Sequence, residues 1–220
     1  ALVIGAVALP RAEERKAELI KAAGFNAIRS AHNPVSEAML KACDRLGILV
    51  MDEAFDMWQK SKATYDYSLV FDDWWERDIE AMVAKDINHP CVILYSIGNE
   101  IPESGTPHGA ELNRRLAEKV RRLDPTRFVT NGVNGVFSAM PHLPEILSEL
   151  TAEGILPQDT SGGAPAEEIN QFMMNMFRLQ DKIIGSKVFK RITAEIFDAL
   201  DVAGYNYMVS QYERDRKSVV

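Results

Sequence analysis

A carboxylate placed directly after a hydrophobic run is the strongest chemical signal in this chain. Glu100 follows Asn99 and Gly98 at the end of the apolar stretch Val92–Ile97. Four other short apolar runs end in the same way. Phe25-Asn26-Ala27-Ile28-Arg29 leads into Ser30-Ala31-His32-Asn33-Pro34. Ile48–Met51 leads into Asp52-Glu53-Ala54-Phe55-Asp56. Phe128-Val129-Thr130 is followed by Asn131, and Val202-Ala203-Gly204-Tyr205 by Asn206-Tyr207. Each ending offers groups able to bind a hydroxyl or move a proton. Glu100 has the chemistry of a general acid or base. Arg29 can hold a carboxylate through two parallel N–H bonds. Asn99, His32, Asn33, Asp52 and Tyr207 are candidate binding residues, and Trp58, in a loop, is a candidate for ring stacking.

Such residues converge only if the runs between them form one sheet. The dominant pattern is an amphipathic helix followed by a short apolar run, repeated. Pro10 suits the first turn of a helix that ends at Gly24, and Ser36 can cap a second that stops at Gly47. Asp72 can cap a third, over 73–86, and 111–123 reads as a fourth. Strands alternating with helices imply a parallel α/β sheet. Strands covered on both faces read as continuous apolar runs, as these do. In a parallel α/β barrel the strand ends listed above lie together at the carboxyl face. The rhythm breaks over 140–200, which is helical in pattern and longer than one crossover needs. It contains the loop Thr160–Pro165 and the methionine-rich stretch Gln171–Phe177.

Composition narrows the classes. A net charge of −7 argues against nucleic acid as a partner, because phosphate binding wants a basic surface. No run of about 18 apolar residues is present, so no membrane-spanning helix is expected. Cys43 and Cys91 sit in apolar segments and read as buried thiols. The four histidines lack metal-ligand spacing, so no cofactor or metal is expected from the residues alone. The apolar start, Ala1–Pro10, lacks a basic leader and reads as a chain beginning in mid-domain.

Two stretches then become specific. Phe25–Pro34 and Asp86-Ile87-Asn88-His89-Pro90-Cys91-Val92-Ile93-Leu94-Tyr95-Ser96-Ile97-Gly98-Asn99-Glu100 resemble signatures of family 2 glycoside hydrolases. Gly47–Phe55 is similar to the third barrel strand of that family, and Asp201–Tyr207 carries a weaker likeness. The nearest members are β-galactosidase-like, with β-glucuronidases and β-mannosidases close by. The resemblance implies a (β/α)8 barrel domain spanning 1–220 but incomplete, with 140–200 as a helical insertion. It maps the five strands onto the second to sixth of eight. It implies that Glu100 is the general acid/base of a retaining enzyme, in an apolar, partly closed site of the kind that keeps such a carboxyl protonated. Asn99 would bind the sugar 2-hydroxyl. His32 and Asn33 would lie near the sugar, and Tyr207 near the nucleophile.

A retaining glycosidase needs a second carboxyl about 5–5.5 Å from the first. In the family it follows the seventh strand, and no glutamate after Tyr207 fits; Glu213 falls in a charged helix. The chain is therefore expected to carry the acid/base without the nucleophile. Its expected partners are a carbohydrate, the remaining barrel strands and the N-terminal sandwich domains of a parent enzyme. Alone it is expected to be inactive and to self-associate through open sheet edges. Two other readings stand beside this one. The first is a non-catalytic α/β domain that binds a carbohydrate or a partner chain. The second is a metal-assisted hydrolase built on His32, Asp52 and Glu100. Some family members use Mg²⁺ near the acid/base, but the flanking ligands have no match here.

Overall fold

The computed structural model describes residues 9–156 and 179–212. The loop Thr160–Pro165, the stretch Gln171–Phe177, Glu213 and Ala1–Ala8 lie outside the described residues. The order is α1 (Pro10–Ala22), β1 (Ala27–Arg29), α2 (Glu37–Leu46), β2 (Leu49–Glu53), α3 (Phe71–Asp86), β3 (Val92–Asn99), α4 (Pro107–Leu123) and β4 (Phe128–Asn134). After these come α5 (Gly135–Ala139), α6 (Leu143–Ala152), a helical segment at 179–185, α7 (Lys187–Asp198) and β5 (Gly204–Asn206).

Helix boundaries follow local chemistry. Ser36 Oγ accepts from Met39 N at 3.2 Å, and Gly47 ends α2 at φ +64°, where a Cβ would be strained. Two starts differ from expectation. Helix α3 begins at Phe71 with no side-chain cap; Asp72 sits in its first turn and accepts from Gln59 Nε2 at 2.5 Å. Helix α4 begins four residues earlier than its pattern implied. Thr106 Oγ1 caps it by accepting from Gly109 N at 3.1 Å, and Pro107 occupies the first turn, where its missing N–H costs nothing.

The five strands pair in parallel in sequence order, β1-β2-β3-β4-β5, and curl into a half-barrel with helices outside. Register sets which side chains share a face. Arg29 pairs with Met51, Met51 with Leu94, and Leu94 with Phe128; Glu53 pairs with Ser96, and Ser96 with Thr130. These point to the concave face. The alternate residues Val50, Asp52, Tyr95, Ile97, Val129 and Val133 are fully buried beneath the helices.

Asp52 belongs to this outer set, which corrects its expected place in the site. Its carboxylate is 0% exposed and accepts from Ser30 Oγ at 2.7 Å, Val35 N at 2.9 Å and Lys85 Nζ at 3.0 Å. It braces the loop after β1 from behind. Asp86, also buried, lies beside it and is ion-paired to Lys85. Burial first, then the Asp52 charge and the hydrogen bond to it, push the Asp86 carboxyl up to about 7, against the pull of Lys85.

Asp86 thus folds most favourably with its proton on. Its contribution is full below the ordinary carboxylate value of about 4 and is lost as pH rises through about 7. Asp86→Asn keeps an N–H toward Asp52 at every pH. Its stability relative to wild type is expected to rise by on the order of 2 kcal/mol between pH 5 and pH 8.5, read from urea midpoints. A difference that does not change with pH would refute the raised Asp86 carboxyl.

Candidate active site

At the carboxyl end of the sheet, a cleft of about 480 Å³ is lined by Arg29, His32, Asp56, Lys62, Asn99, Glu100, Phe137, Tyr205, Asn206 and Tyr207. Its anchor is Glu53, which is 0% exposed. Arg29 donates to it twice, Nε to Oε2 at 2.9 Å and Nη2 to Oε1 at 3.1 Å. His32 Nδ1 lies 2.9 Å from Oε1, and Ser96 Oγ donates to Oε2 at 2.8 Å. The carboxylate on Nδ1 makes that nitrogen the one carrying the proton. Arg29 Nη2 then donates onward to Asn99 Oδ1 at 2.6 Å.

Asn99 is a junction. Its Oδ1 also accepts from Asn206 Nδ2 at 3.0 Å, and its own Nδ2 donates to Asp56 Oδ1 at 2.8 Å. Lys62 Nζ bridges Asp56 Oδ1 at 2.9 Å and the Asn99 carbonyl at 2.7 Å. Glu100 is half-buried. Its Oε2 accepts from Asn134 Nδ2 at 3.1 Å and its Oε1 from Asn206 Nδ2 at 3.2 Å. The Glu100 charge beside the Tyr207 hydroxyl, and the hydrogen bond between them, raise the phenol above its ordinary value.

Successive strand residues normally face opposite sides, yet Asn99 and Glu100 line one cleft. The β3–β4 register slips between Ser96 and Asn99. Glu100 then turns back at φ +50°, with its N–H on the Gly132 carbonyl at 2.7 Å. Asn206 and Tyr207 repeat the device, with Tyr207 at φ +60°. Left-handed backbone is costly for residues with a Cβ and concentrates at functional sites. Gly132 makes room beneath: a Cβ there would meet Arg29 Nη2 and Asn206 Oδ1 at 3.2 Å.

Of the expected residues, Glu100, Asn99, Arg29, His32 and Tyr207 share this cleft. Asn33 lines a neighbouring, larger hollow of about 700 Å³ bounded by Pro34, Phe55, Met57, Tyr67 and α3. That hollow touches the cleft only through His32 and Asp56 and contains neither Asn99 nor Glu100, so the convergent polar chemistry belongs to the smaller one. Trp58 is a second correction. It is 0% exposed, its Nε1 donates to the Ile97 carbonyl at 3.0 Å, and no face is open to a ring. Glu53, Asp56, Lys62, Asn134 and Asn206 also lie at or beside this cleft, and sequence reasoning did not single them out as site residues. Register would have found Glu53, since it lies two residues beyond the partner of Arg29. Among the described residues, no group of three or more His, Cys, Asp or Glu is placed to hold a metal ion.

A parallel half-barrel with helices outside and polar groups at its strand ends has the architecture of part of a TIM barrel, and comparison specifies which family. The profile of "Glycosyl hydrolases family 2, TIM barrel domain" matches residues 9–162, and the chain belongs to this family. It is 38% identical to the β-galactosidase BoGH2A of Bacteroides ovatus, over 60% of this chain and 19% of that protein. A putative β-glucuronidase of Formosa agariphila is 39% identical over 53% of this chain and 11% of that protein. The crystal structure of a glycosyl hydrolase family 2 member from Bacteroides cellulosilyticus superposes with a TM-score of 0.69 at 41% identity, covering 97% of this chain and 21% of that one. The chain thus spans roughly a tenth to a fifth of the length of these relatives.

If Glu53 anchors the site, Glu53→Gln should cost about 3 kcal/mol of stability, because it leaves Arg29 beside an amide that cannot balance its charge. Asp56→Asn, at the half-exposed rim, should cost less than about 1 kcal/mol. Guanidinium unfolding of both variants measures this, and equal losses would remove Glu53 from its central place.

Proposed function

We propose that this chain supplies the acid/base half of a retaining β-glycosidase active site, with Glu100 as the proton-transfer residue. The observation that carries the reading is the delivery of Asn99 and Glu100 together into a polar cleft at the carboxyl end of β3. Protonated Glu100 gives its proton to the leaving glycosidic oxygen; ionised, it takes one from the incoming water. Asn99 is held by Arg29 and Asn206, oriented to bind the 2-hydroxyl, where hydrogen bonds strengthen in the transition state. His32, fixed by Glu53, presents its other ring nitrogen to the sugar, and Phe137, 40% exposed, offers an apolar surface. Glu53 is committed to Arg29, His32 and Ser96, so the nucleophile is a carboxylate from the remaining barrel strands. A terminal β-galactoside is the proposed substrate, on the likeness to the Bacteroides ovatus β-galactosidase. The chain expressed alone would be inactive and would associate through the edges of β1 and β5, which have no further strand partner among the described residues.

In the full-length protein, Glu100→Gln is expected to lower turnover of alkyl β-galactosides by roughly 10²–10⁴-fold. Aryl substrates with very good leaving groups should lose less in the first step, because they need little protonation. Equal loss with every leaving group, or no loss, would remove Glu100 from the acid role. Faster hydrolysis of a β-glucuronide than of the matched β-galactoside would replace the proposed sugar and leave Glu100's role untouched.

A further inference from the structure

We propose that Asn134 is a positioning residue for the Glu100 carboxyl, acting as an amide donor whose orientation is locked by the helix it caps. It rests on the reading of Glu100 as the acid/base and adds a residue to it. Asn134 ends β4, and its Oδ1 accepts from Val136 N at 2.9 Å and Phe137 N at 3.1 Å, the first free amides of α5. An amide side chain has one acceptor end and one donor end. With the oxygen committed to two backbone N–H groups, the Nδ2 end must face away, and what it faces is Glu100 Oε2 at 3.1 Å. Turning the amide over would leave both helix N–H groups facing N–H and would set oxygen against carboxylate oxygen. Asn134 is 6% exposed, so water has little access to offer an alternative.

The arrangement is asymmetric with respect to Asn206. That side chain divides its Nδ2 between Asn99 Oδ1 and Glu100 Oε1 and caps no helix in the described residues. Among the described residues, Asn134 alone ties the carboxyl to a helix terminus. A donor on a carboxylate favours its ionised form. Asn134 therefore points Oε2 and offers it a donor that cannot turn away. The other titratable or charged groups around the cleft are Tyr205 in β5 and Tyr207 after it, Arg29 at the end of β1 and His32 after it, and Asp56 and Lys62 after β2.

The test exploits the cap. Asparagine and aspartate cap helices about equally well, so Asn134→Asp keeps the Oδ1 acceptor and replaces only the donor, with a like charge toward Glu100. In the full-length enzyme the alkaline limb of kcat/KM is expected to move up by about one pH unit or more. Turnover of an activated aryl glycoside near neutral pH should fall at least several-fold, since its second step needs ionised Glu100 as base. Should Asn134→Asp fail to fold, Asn134→Ser carries the same test. Serine caps well but is too short to reach Glu100, and a smaller upward movement is expected. An unmoved limb, or a loss uniform across pH and leaving group, overturns the proposal. Glu100→Gln run alongside separates the causes: if it leaves turnover of an alkyl glycoside intact, the acid/base reading falls and this proposal with it. If Glu100→Gln is inactive and the limb stays put, only Asn134's role falls.

Discussion

A fully buried carboxylate with no water to lean on must find its partners in the protein, and the site depends on how Glu53 does so. An isolated charge at 0% exposure would be prohibitively costly. Arg29, His32 and Ser96 meet it instead, and in doing so they bind β1 and β3 to β2 at the same height. Arg29 passes the order along to Asn99, and Asn99 to Asn206 on β5 and Asp56 after β2. Glu100 itself makes no hydrogen bond or ion pair with Glu53 or Arg29. The groups around it are nonetheless set by a relay that starts there. Such a relay makes geometry rigid more than it makes the fold stable, since a buried ion pair is weak evidence for net stability.

On the other side of β2, one residue away, Asp52 performs the complementary task. It secures Ser30 and the Val35 amide, so the loop that carries His32 is held from outside while Glu53 holds it from inside. Two adjacent acids therefore serve opposite faces of one strand. The outer one shares its surroundings with Asp86 and Lys85, which couples this support to the protonation of the helix-facing layer.

The same strand shows where sequence reading succeeds and where it stops. Glu100 was legible because the mostly apolar run Val92–Ile97 leads toward it and Asn99 precedes it. The parallel order was legible because helices with recognisable ends, such as Ser36 to Gly47, separate the runs. The choice of Asp52 over Glu53 failed for a physical reason: a strand covered on both faces has no polar alternation to mark its parity, and only the pairing of Arg29 with Met51 does. Trp58 lies in a loop, and loop position conceals burial. Strand β4 runs past Thr130 to Asn134 through Gly132, whose missing side chain leaves space for Arg29 and Asn206. The start of α4 was hidden behind Pro107 and Gly109.

Glu100 and Tyr207 both sit in left-handed backbone, and this affects how variation at these positions is interpreted. On the proposed reading, each position answers to two demands at once, one on the side chain and one on the turn. A glycine at position 100 would abolish the carboxyl while relieving the backbone, so it would trade function for stability. A valine or isoleucine would lose on both counts, since branching at Cβ adds to the steric cost. Glutamine alters the chemistry and leaves the conformational burden where it was. In a mutational survey scored by abundance, position 100 is therefore expected to rank glycine and asparagine above its native residue. If Glu100 is the proposed acid/base, the order scored by activity would invert, and that inversion would mark a residue kept for what it does at some expense to how well it folds.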